Sequence, residues 1–142
     1  MVGILLMTHN GLGDSLVDCV RHVLGQVPDN LLVLAVKAND DPVRKEAEGR
    51  ALVEYMDNGE GVLLLADIFG ATPCNIGLRL CEMPNVAGVA GVNLPMLLRA
   101  VSNSDKPLDE LARMALEGGR DCIVSMNSNP EEGCNVATGS TD

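Results

Sequence analysis

Two apolar runs built on the same plan constrain the fold more than any other feature of this chain. The first covers residues 2–7 and ends just before Thr8-His9, and the second covers residues 61–66 and ends just before Asp67. Short, continuously apolar runs bounded by turn residues are typical of strands buried on both faces of a parallel sheet. In such sheets ligands bind at the carboxyl ends of the strands, so His9 and Asp67 are candidate site residues.

The rest of the chain alternates between apolar runs and segments with helical periodicity. Further strands are predicted at residues 31–36, 86–91 and 122–126. Helices are predicted at residues 12–26, 41–56, 74–81 and 95–103, and from Leu108 to a stop at Gly118-Gly119. This alternation predicts an α/β fold with a mostly parallel sheet. If the strand order is 2-1-3-4, the ends of strands one and three lie ~4.8 Å apart, which brings His9 and Asp67 within hydrogen-bonding reach.

Composition limits the class of protein. A chain of 142 residues fits one domain, predicted at residues 1–127, and the polar stretch at 128–142 has no apolar period and is predicted to be a disordered tail. The net charge of −10 argues against a nucleic-acid partner. No apolar run approaches the ~20 residues of a membrane span, and no basic region precedes the first run as in a signal peptide.

The cysteines and histidines indicate neither a disulfide framework nor a metal centre. The five cysteines are odd in number and include no CxxC pair, so we expect reduced thiols in a cytoplasmic protein. With two histidines and no clustered ligand motif, we expect no metal and no cofactor. His22 falls within the first predicted helix, where we expect it to be structural.

The two strand ends together suggest phosphoryl chemistry on histidine. If the Asp67 carboxylate accepts a hydrogen bond from Nδ1–H of His9, the Nε2 lone pair is left as a nucleophile. Both strands lead into helix N-termini, whose free N–H groups suit phosphate oxygens. Thr72 could donate its hydroxyl to the same group and is also a candidate helix cap. The backbone positions expected to bind phosphate are Asn10, Gly11, Gly70 and Ala71.

Four apolar residues are expected to border this site and to form a docking face for a partner protein. They are Ile68, Phe69, Leu94 and Met96. Ordinary core packing is the commoner role of such side chains and remains the alternative. Phe69 is the only phenylalanine of the chain, and its position in the loop after Asp67 favours the docking role.

Three stretches carry a resemblance to a known family: GILLMTHNGLGDSL, LLLADIFGATPCN and AGVNLPMLL. Over residues 2–126 the chain resembles the enzyme IIA domain of the mannose family of the bacterial phosphotransferase system (PTS). The resemblance implies that the phosphocarrier HPr phosphorylates His9 on Nε2, that Asp67 orients His9, and that Thr72 replaces a serine which contacts the phosphoryl group. It also implies a doubly wound fold and a homodimer, in which a C-terminal antiparallel strand matching residues 121–126 is exchanged between subunits.

Some features depart from the family pattern. Asn10 stands where glycine is usual, although asparagine tolerates left-handed backbone better than most residues. Ala71-Thr72 replaces the usual Gly-Ser, which keeps the hydroxyl but adds a methyl group. No IIB domain follows, so the expected acceptor is a separate IIB protein, or else the domain regulates a target according to its phosphorylation state. Any association with a membrane would then be indirect, through a transporter.

Other classes of protein fit the sequence less well. A receiver domain would need acidic residues after the first strand, where this chain has Thr8-His9-Asn10. A histidine phosphatase would need an arginine beside His9 and further basic groups in its pocket. A non-catalytic binding module with a degenerate phosphorylation site remains the alternative, because Asn10 and Ala71 alter the loops.

Overall fold

In a computed structural model, which describes residues 1–127 and residue 134, four strands alternate with five helices. The strands are β1 (Gly3–His9), β2 (Leu31–Val36), β3 (Val62–Ala66) and β4 (Val86–Ala90). The helices are α1 (Leu12–Leu24), α2 (Pro42–Met56), α3 (Thr72–Leu80), α4 (Leu94–Ser102) and α5 (Leu108–Asp121). None of these helices is both long and apolar enough to cross a bilayer.

The described strands form one parallel sheet in the order β2-β1-β3-β4, which confirms the predicted order and the α/β class. The register places Met7 of β1 opposite Ala66 of β3 and His9 opposite Val36 of β2. The strand order reverses between β1 and β3, so the carboxyl ends of these two strands lie side by side. This is the edge where the candidate site was expected.

Helices cover both faces of the sheet, as expected of a doubly wound fold. Consecutive side chains of β1 point to opposite faces. Leu6 belongs to one buried cluster with Val20 of α1 and Leu97 of α4, while Leu5 belongs to a second cluster with Val53 of α2. The helix α5 contributes to the first cluster and α3 to the second. The central strands are therefore buried on both sides, which explains their continuously apolar sequence.

The ends of α1 and α2 follow the capping signals in the sequence. Gly25 closes α1 with a φ of 85°, a left-handed conformation that glycine adopts without steric strain. Asp41 accepts a hydrogen bond from the N–H of Val43 at 3.0 Å and caps α2, with Pro42 as the first helical residue.

The predicted stop of the last helix at Gly118-Gly119 is wrong, because α5 continues to Asp121. Both glycines are buried against α4. A Cβ atom at Gly118 would lie 2.8 Å from Cδ of Arg99, and one at Gly119 would lie 2.6 Å from Cε of Met96. These glycines allow two helices to approach closely, rather than ending one of them.

The strand predicted at residues 122–126 is not present in the single chain. These residues form turns and irregular backbone after α5, and none of them pairs with a strand in the described part of the chain. The physical reason is that a strand needs a neighbour for its N–H and C=O groups, however suitable its sequence. The tail predicted at 128–142 lies outside the described residues except for Cys134.

Candidate functional site

His9 and Asp67 meet at the carboxyl edge of the sheet. Nδ1 of His9 lies 2.7 Å from Oδ2 of Asp67, and the backbone N–H of His9 donates to the same oxygen at 2.9 Å. The other carboxylate oxygen, Oδ1, accepts the N–H of Ile68 at 2.9 Å. Both oxygens of Asp67 are therefore engaged, and the contacts fix the orientation of the His9 ring.

The surroundings of Asp67 favour its ionised form. Burial raises the pKa of this carboxyl, whose side chain is only 8% exposed. Hydrogen bonds from the backbone and ring of His9, the charge interaction with His9 and the hydrogen bond from the N–H of Ile68 together lower the pKa by more than burial raises it. The net result is a pKa below the usual range. Because an ionised carboxylate only accepts hydrogen bonds, Nδ1 of His9 is the donor, and a neutral ring keeps its lone pair on Nε2. The His9 side chain is 45% exposed, so a partner can reach it.

Glycine-containing turns lead from both strands into helices. The N–H groups of Gly11 and Gly70 make no hydrogen bond with any described residue. Gly11 immediately precedes α1, and Gly70 has a φ of 88° in the loop before α3. Ala71 is the N-cap of α3. Two helix N-termini, with their partial positive charge, therefore begin close to His9 and Asp67 in sequence.

Asn10 departs from its expected role. Its φ of 49° confirms that this asparagine adopts the left-handed conformation. However, its N–H donates to the carbonyl of Val36 at 3.0 Å, because pairing with β2 continues one residue beyond His9. This amide is therefore occupied and is not available to a phosphate oxygen.

Thr72 does not cap α3, because Ala71 occupies the cap position and Thr72 is the first helical residue. Its side chain is exposed, and its hydroxyl makes no hydrogen bond within the described part of the chain. The hydroxyl is therefore free to donate to a ligand at the start of α3.

The four residues expected to form a docking face differ in how far they are exposed. Ile68 and Phe69 are 56% and 74% exposed beside Asp67, which suits that role. Leu94 is half-buried at the start of α4. Met96 is only 3% exposed and packs against Gly119 of α5, so its expected docking role is corrected to core packing.

Thr8 is a residue that the sequence interpretation missed. It is fully buried, and its Oγ1 accepts the N–H of Gly13 at 2.9 Å. This bond ties the first turn of α1 to the end of β1, next to His9. The signal that could have revealed it is a hydroxyl residue at the end of an apolar strand with a glycine five positions later.

The expectation that all cysteines are reduced is wrong for two of them. Cys122 and Cys134 form a disulfide, with their Cα atoms 4.7 Å apart. A separation of 12 residues matches no short motif, so the sequence did not reveal this pair. Cys19, Cys74 and Cys81 are free thiols, as expected. Within residues 1–127 and 134, no three His, Cys, Asp or Glu side chains form a group that could hold a metal ion.

Comparison of sequences places this architecture among known proteins. Residues 3–116 match the EIIA-man family, described as the PTS system fructose IIA component. The chain is 26% identical over 134 residues to the PTS system mannose-specific EIIAB component of Escherichia coli K12, which covers 92% of this chain and 41% of that protein. It is 29% identical over 103 residues to the PTS system fructose-specific EIIA component of Bacillus subtilis, which covers 72% of this chain and 70% of that protein. The chain thus spans less than half the length of the E. coli relative.

Comparison of structures agrees with the sequence match. The mannose/sorbose specific IIA subunit of the phosphotransferase system from Enterococcus faecalis superposes with a TM-score of 0.80 at 26% identity. The match covers 90% of this chain and 96% of that subunit. The family match extends over most of the chain, including both strand ends of the candidate site. This chain therefore belongs to the EIIA-man family of PTS IIA components.

Proposed function

We propose that this protein is a phosphohistidine carrier of the PTS and works in the cytoplasm. Nε2 of His9 accepts a phosphoryl group from phosphorylated HPr. The group then passes to a separate IIB protein, or its presence on His9 regulates a target protein. The observation that supports this proposal most directly is the 2.7 Å contact between Nδ1 of His9 and Oδ2 of Asp67, since it leaves Nε2 as the nucleophile.

Each neighbouring group has a distinct part in the proposed transfer. As the bond between Nε2 and phosphorus forms, the bond between phosphorus and the donor breaks, and the His9 ring gains positive charge. The Asp67 carboxylate stabilises that charge and keeps the proton on Nδ1. Phosphoryl transfer depends mainly on positioning and charge stabilisation. The amides of Gly11, Gly70 and Ala71 and the hydroxyl of Thr72 are the donors proposed to bind the phosphoryl oxygens.

The proposed docking face for HPr is smaller than the sequence suggested. It consists of Ile68 and Phe69, which are both exposed beside Asp67. Exposed apolar side chains next to a reactive group can bury themselves against a partner and exclude water from the transfer.

We also propose that two copies form a homodimer by exchanging a C-terminal antiparallel strand. The resemblance matches this strand to residues 121–126, but Asp121 is the last residue of α5, so the exchanged segment is residues 122–126. Ile123, Val124 and Met126 are 75%, 43% and 99% exposed, so the segment places its apolar side chains in water. Within the described residues, β4 pairs only with β3, which leaves its outer edge open for another strand. Pairing of the segment with that edge in a second copy would bury these side chains and satisfy both backbones.

The direct test is transfer from phosphoenolpyruvate, through enzyme I and HPr, to the wild type, His9→Ala and His22→Ala. His22 is exposed on α1 and serves as the matched control, since it is the only other histidine. We expect an acid-labile phosphate on the wild type and on His22→Ala, and none on His9→Ala. No label on the wild type, with HPr shown to be charged, would instead favour the non-catalytic binding module.

Asp67→Ala tests the orienting role separately. We expect transfer to slow by roughly 10²-fold or more, the usual contribution of a positioned acid–base partner, with the fold retained. The rate is measured in single turnovers from phosphorylated HPr, and circular dichroism checks the fold. An unchanged transfer rate would rule out the role assigned to Asp67.

A further inference from the structure

The disulfide begins directly after the last residue of α5. Cys122 directly follows Asp121 as the C-cap of α5, and its N–H donates a hydrogen bond to the carbonyl of Arg120. The disulfide joins it to Cys134, 12 residues later. The residues that directly follow Cys122 are therefore enclosed in a covalent loop. Cys122 is partly exposed and Cys134 is exposed, so small thiols and disulfides in solution can reach the pair.

The enclosed loop contains the segment that we propose to be exchanged. Residues 123–126 are irregular or in a turn in this oxidised form, although residues 122–126 have the sequence of a strand. The segment has five residues, the same length as β4 (Val86–Ala90). Within the described residues, the outer edge of β4 has no strand beside it. An extended segment from a second copy could pair along this edge.

The proposed function also bears on the disulfide itself. Phosphorylation by HPr requires phosphoenolpyruvate and takes place in the cytoplasm, where thiols are kept reduced. Disulfides that form in that compartment are usually transient and redox-sensing rather than structural. A fold held by nine helices and strands and two apolar clusters in the described chain does not need this cross-link for its core.

We infer that Cys122 and Cys134 are a reversible dithiol–disulfide pair that controls strand exchange, with the disulfide disfavouring the dimer. This inference rests on the exchanged dimer proposed above. A five-residue strand must extend to about 16 Å. A segment inside a closed loop is on average more compact than the same segment in an open chain, because its ends are also tied through the rest of the loop. Reduction opens the loop and removes that restriction. Because each dimer uses two such segments, the free energy of extending the segment counts twice in the dimer dissociation constant.

The redox step is ordinary thiol–disulfide exchange with a low-molecular-weight disulfide as oxidant. The thiolate of one cysteine attacks that disulfide, forms a mixed disulfide and releases one small thiol. The thiolate of the other cysteine then attacks the mixed disulfide at the protein sulfur and releases the second small thiol. Two protein thiols are oxidised, one small disulfide is reduced to two thiols, and the protons of the protein thiols pass to them.

The test compares the dimer dissociation constant of the full chain in both redox states. The protein is oxidised with glutathione disulfide or reduced with dithiothreitol, and sedimentation equilibrium gives the constant. Peptide mass mapping verifies the bond between Cys122 and Cys134. Cys134→Ser keeps the loop open under both conditions, and Cys19→Ser is the matched control because it removes an exposed thiol from α1 and leaves the pair intact.

We expect oxidation to weaken the wild-type dimer by about tenfold. Cys134→Ser should behave like the reduced wild type in both conditions, and Cys19→Ser should respond like the wild type. Equal constants in the two redox states, or a Cys134→Ser variant that still responds, would overturn the inference. A monomer in both states would also overturn it, together with the exchanged dimer, while His9 phosphorylation assayed on the same samples decides the carrier function independently.

Discussion

Asp67 receives two hydrogen bonds from His9 and one from Ile68, and these contacts make the stability of the fold depend on pH. The pKa of Asp67 is lower in the folded protein than its ordinary value, so the ionised carboxylate stabilises the folded state. That contribution is fully present above the unfolded pKa of about 3.9 and is lost as the pH falls through the folded pKa.

Asp67→Asn isolates this contribution, because asparagine does not titrate. We expect the wild type to have the larger free energy of unfolding near pH 7. The difference between the two proteins should shrink as the pH falls below about 4. Urea unfolding of both proteins between pH 3 and pH 7 measures it, and a difference that stays constant over the whole range would contradict the assignment.

Thr72 offers a second residue-scale test, since its hydroxyl has no hydrogen-bond partner in the described protein. If it donates to the phosphoryl group, Thr72→Val removes a bond to a charged acceptor that is worth about 1.5–3 kcal/mol, or roughly ten- to a hundredfold in rate. Thr72→Ser keeps the hydroxyl and should transfer at nearly the wild-type rate. Equal rates for the valine and serine variants in single turnovers from HPr would show that the hydroxyl does not contribute to the transfer.

At the scale of single residues, the sequence predicted which residues belong to the candidate site, but not the hydrogen bonds or the burial of each one. His9 and Asp67 were found because two apolar strands end beside them, and a parallel sheet brings such ends together. The occupied amide of Asn10 depends on one extra residue of pairing with β2, which no local pattern reveals. Met96 lies in a motif near the site, but the direction of its side chain depends on how α4 packs against Gly119.

At the scale of elements, the junction between β1 and α1 holds the loop that contains His9. Gly13 permits this junction, because a Cβ atom there would lie 2.7 Å from Oγ1 of Thr8 and 2.7 Å from Cγ1 of Val33. Val33 is on β2, so α1 is packed against two strands at once. The N–H of Gly13 also supplies the hydrogen bond to Thr8 at 2.9 Å.

Gly13→Ala should therefore destabilise the fold by about 1–3 kcal/mol, the usual range for overpacking. Gly11→Ala is the matched control, because a Cβ atom at Gly11 meets nothing within 4 Å and its φ of −89° suits alanine. Its stability should be unchanged or higher by up to about 1 kcal/mol. Urea denaturation compares the two variants, and equal stabilities would contradict the packing argument.

The elements that the sequence misjudged share a cause. Gly118 and Gly119 resemble a helix stop, but contact with α4 selects glycine there for its small size. Residues 122–126 have the composition of a strand, yet a strand forms only where another strand offers its edge. In both cases the deciding partner is distant in sequence, whereas the ends at Gly25 and Asp41 were predicted correctly because their causes are local.

At the scale of the whole molecule, one sheet separates two apolar clusters, and β1 belongs to both. Leu5 and Leu6 are consecutive, both fully buried, and point to opposite faces of the sheet. The two clusters therefore share their central strands and cannot lose packing independently. We therefore predict that the domain unfolds as a single cooperative unit, although helices on opposite faces do not share a core.

Leu5→Ala and Leu6→Ala form a matched pair that tests this prediction. Each variant should lose about 2–5 kcal/mol, the usual cost of removing a buried leucine side chain. Amide hydrogen exchange reports separately on α2, which packs on the Leu5 face, and on α4, which packs on the Leu6 face. In urea, with the disulfide held in one redox state, both helices should lose protection in one coincident transition for each variant. If Leu6→Ala shifted the α4 transition but left the α2 transition at its wild-type midpoint, the two faces would be independent, and β1 would not couple them.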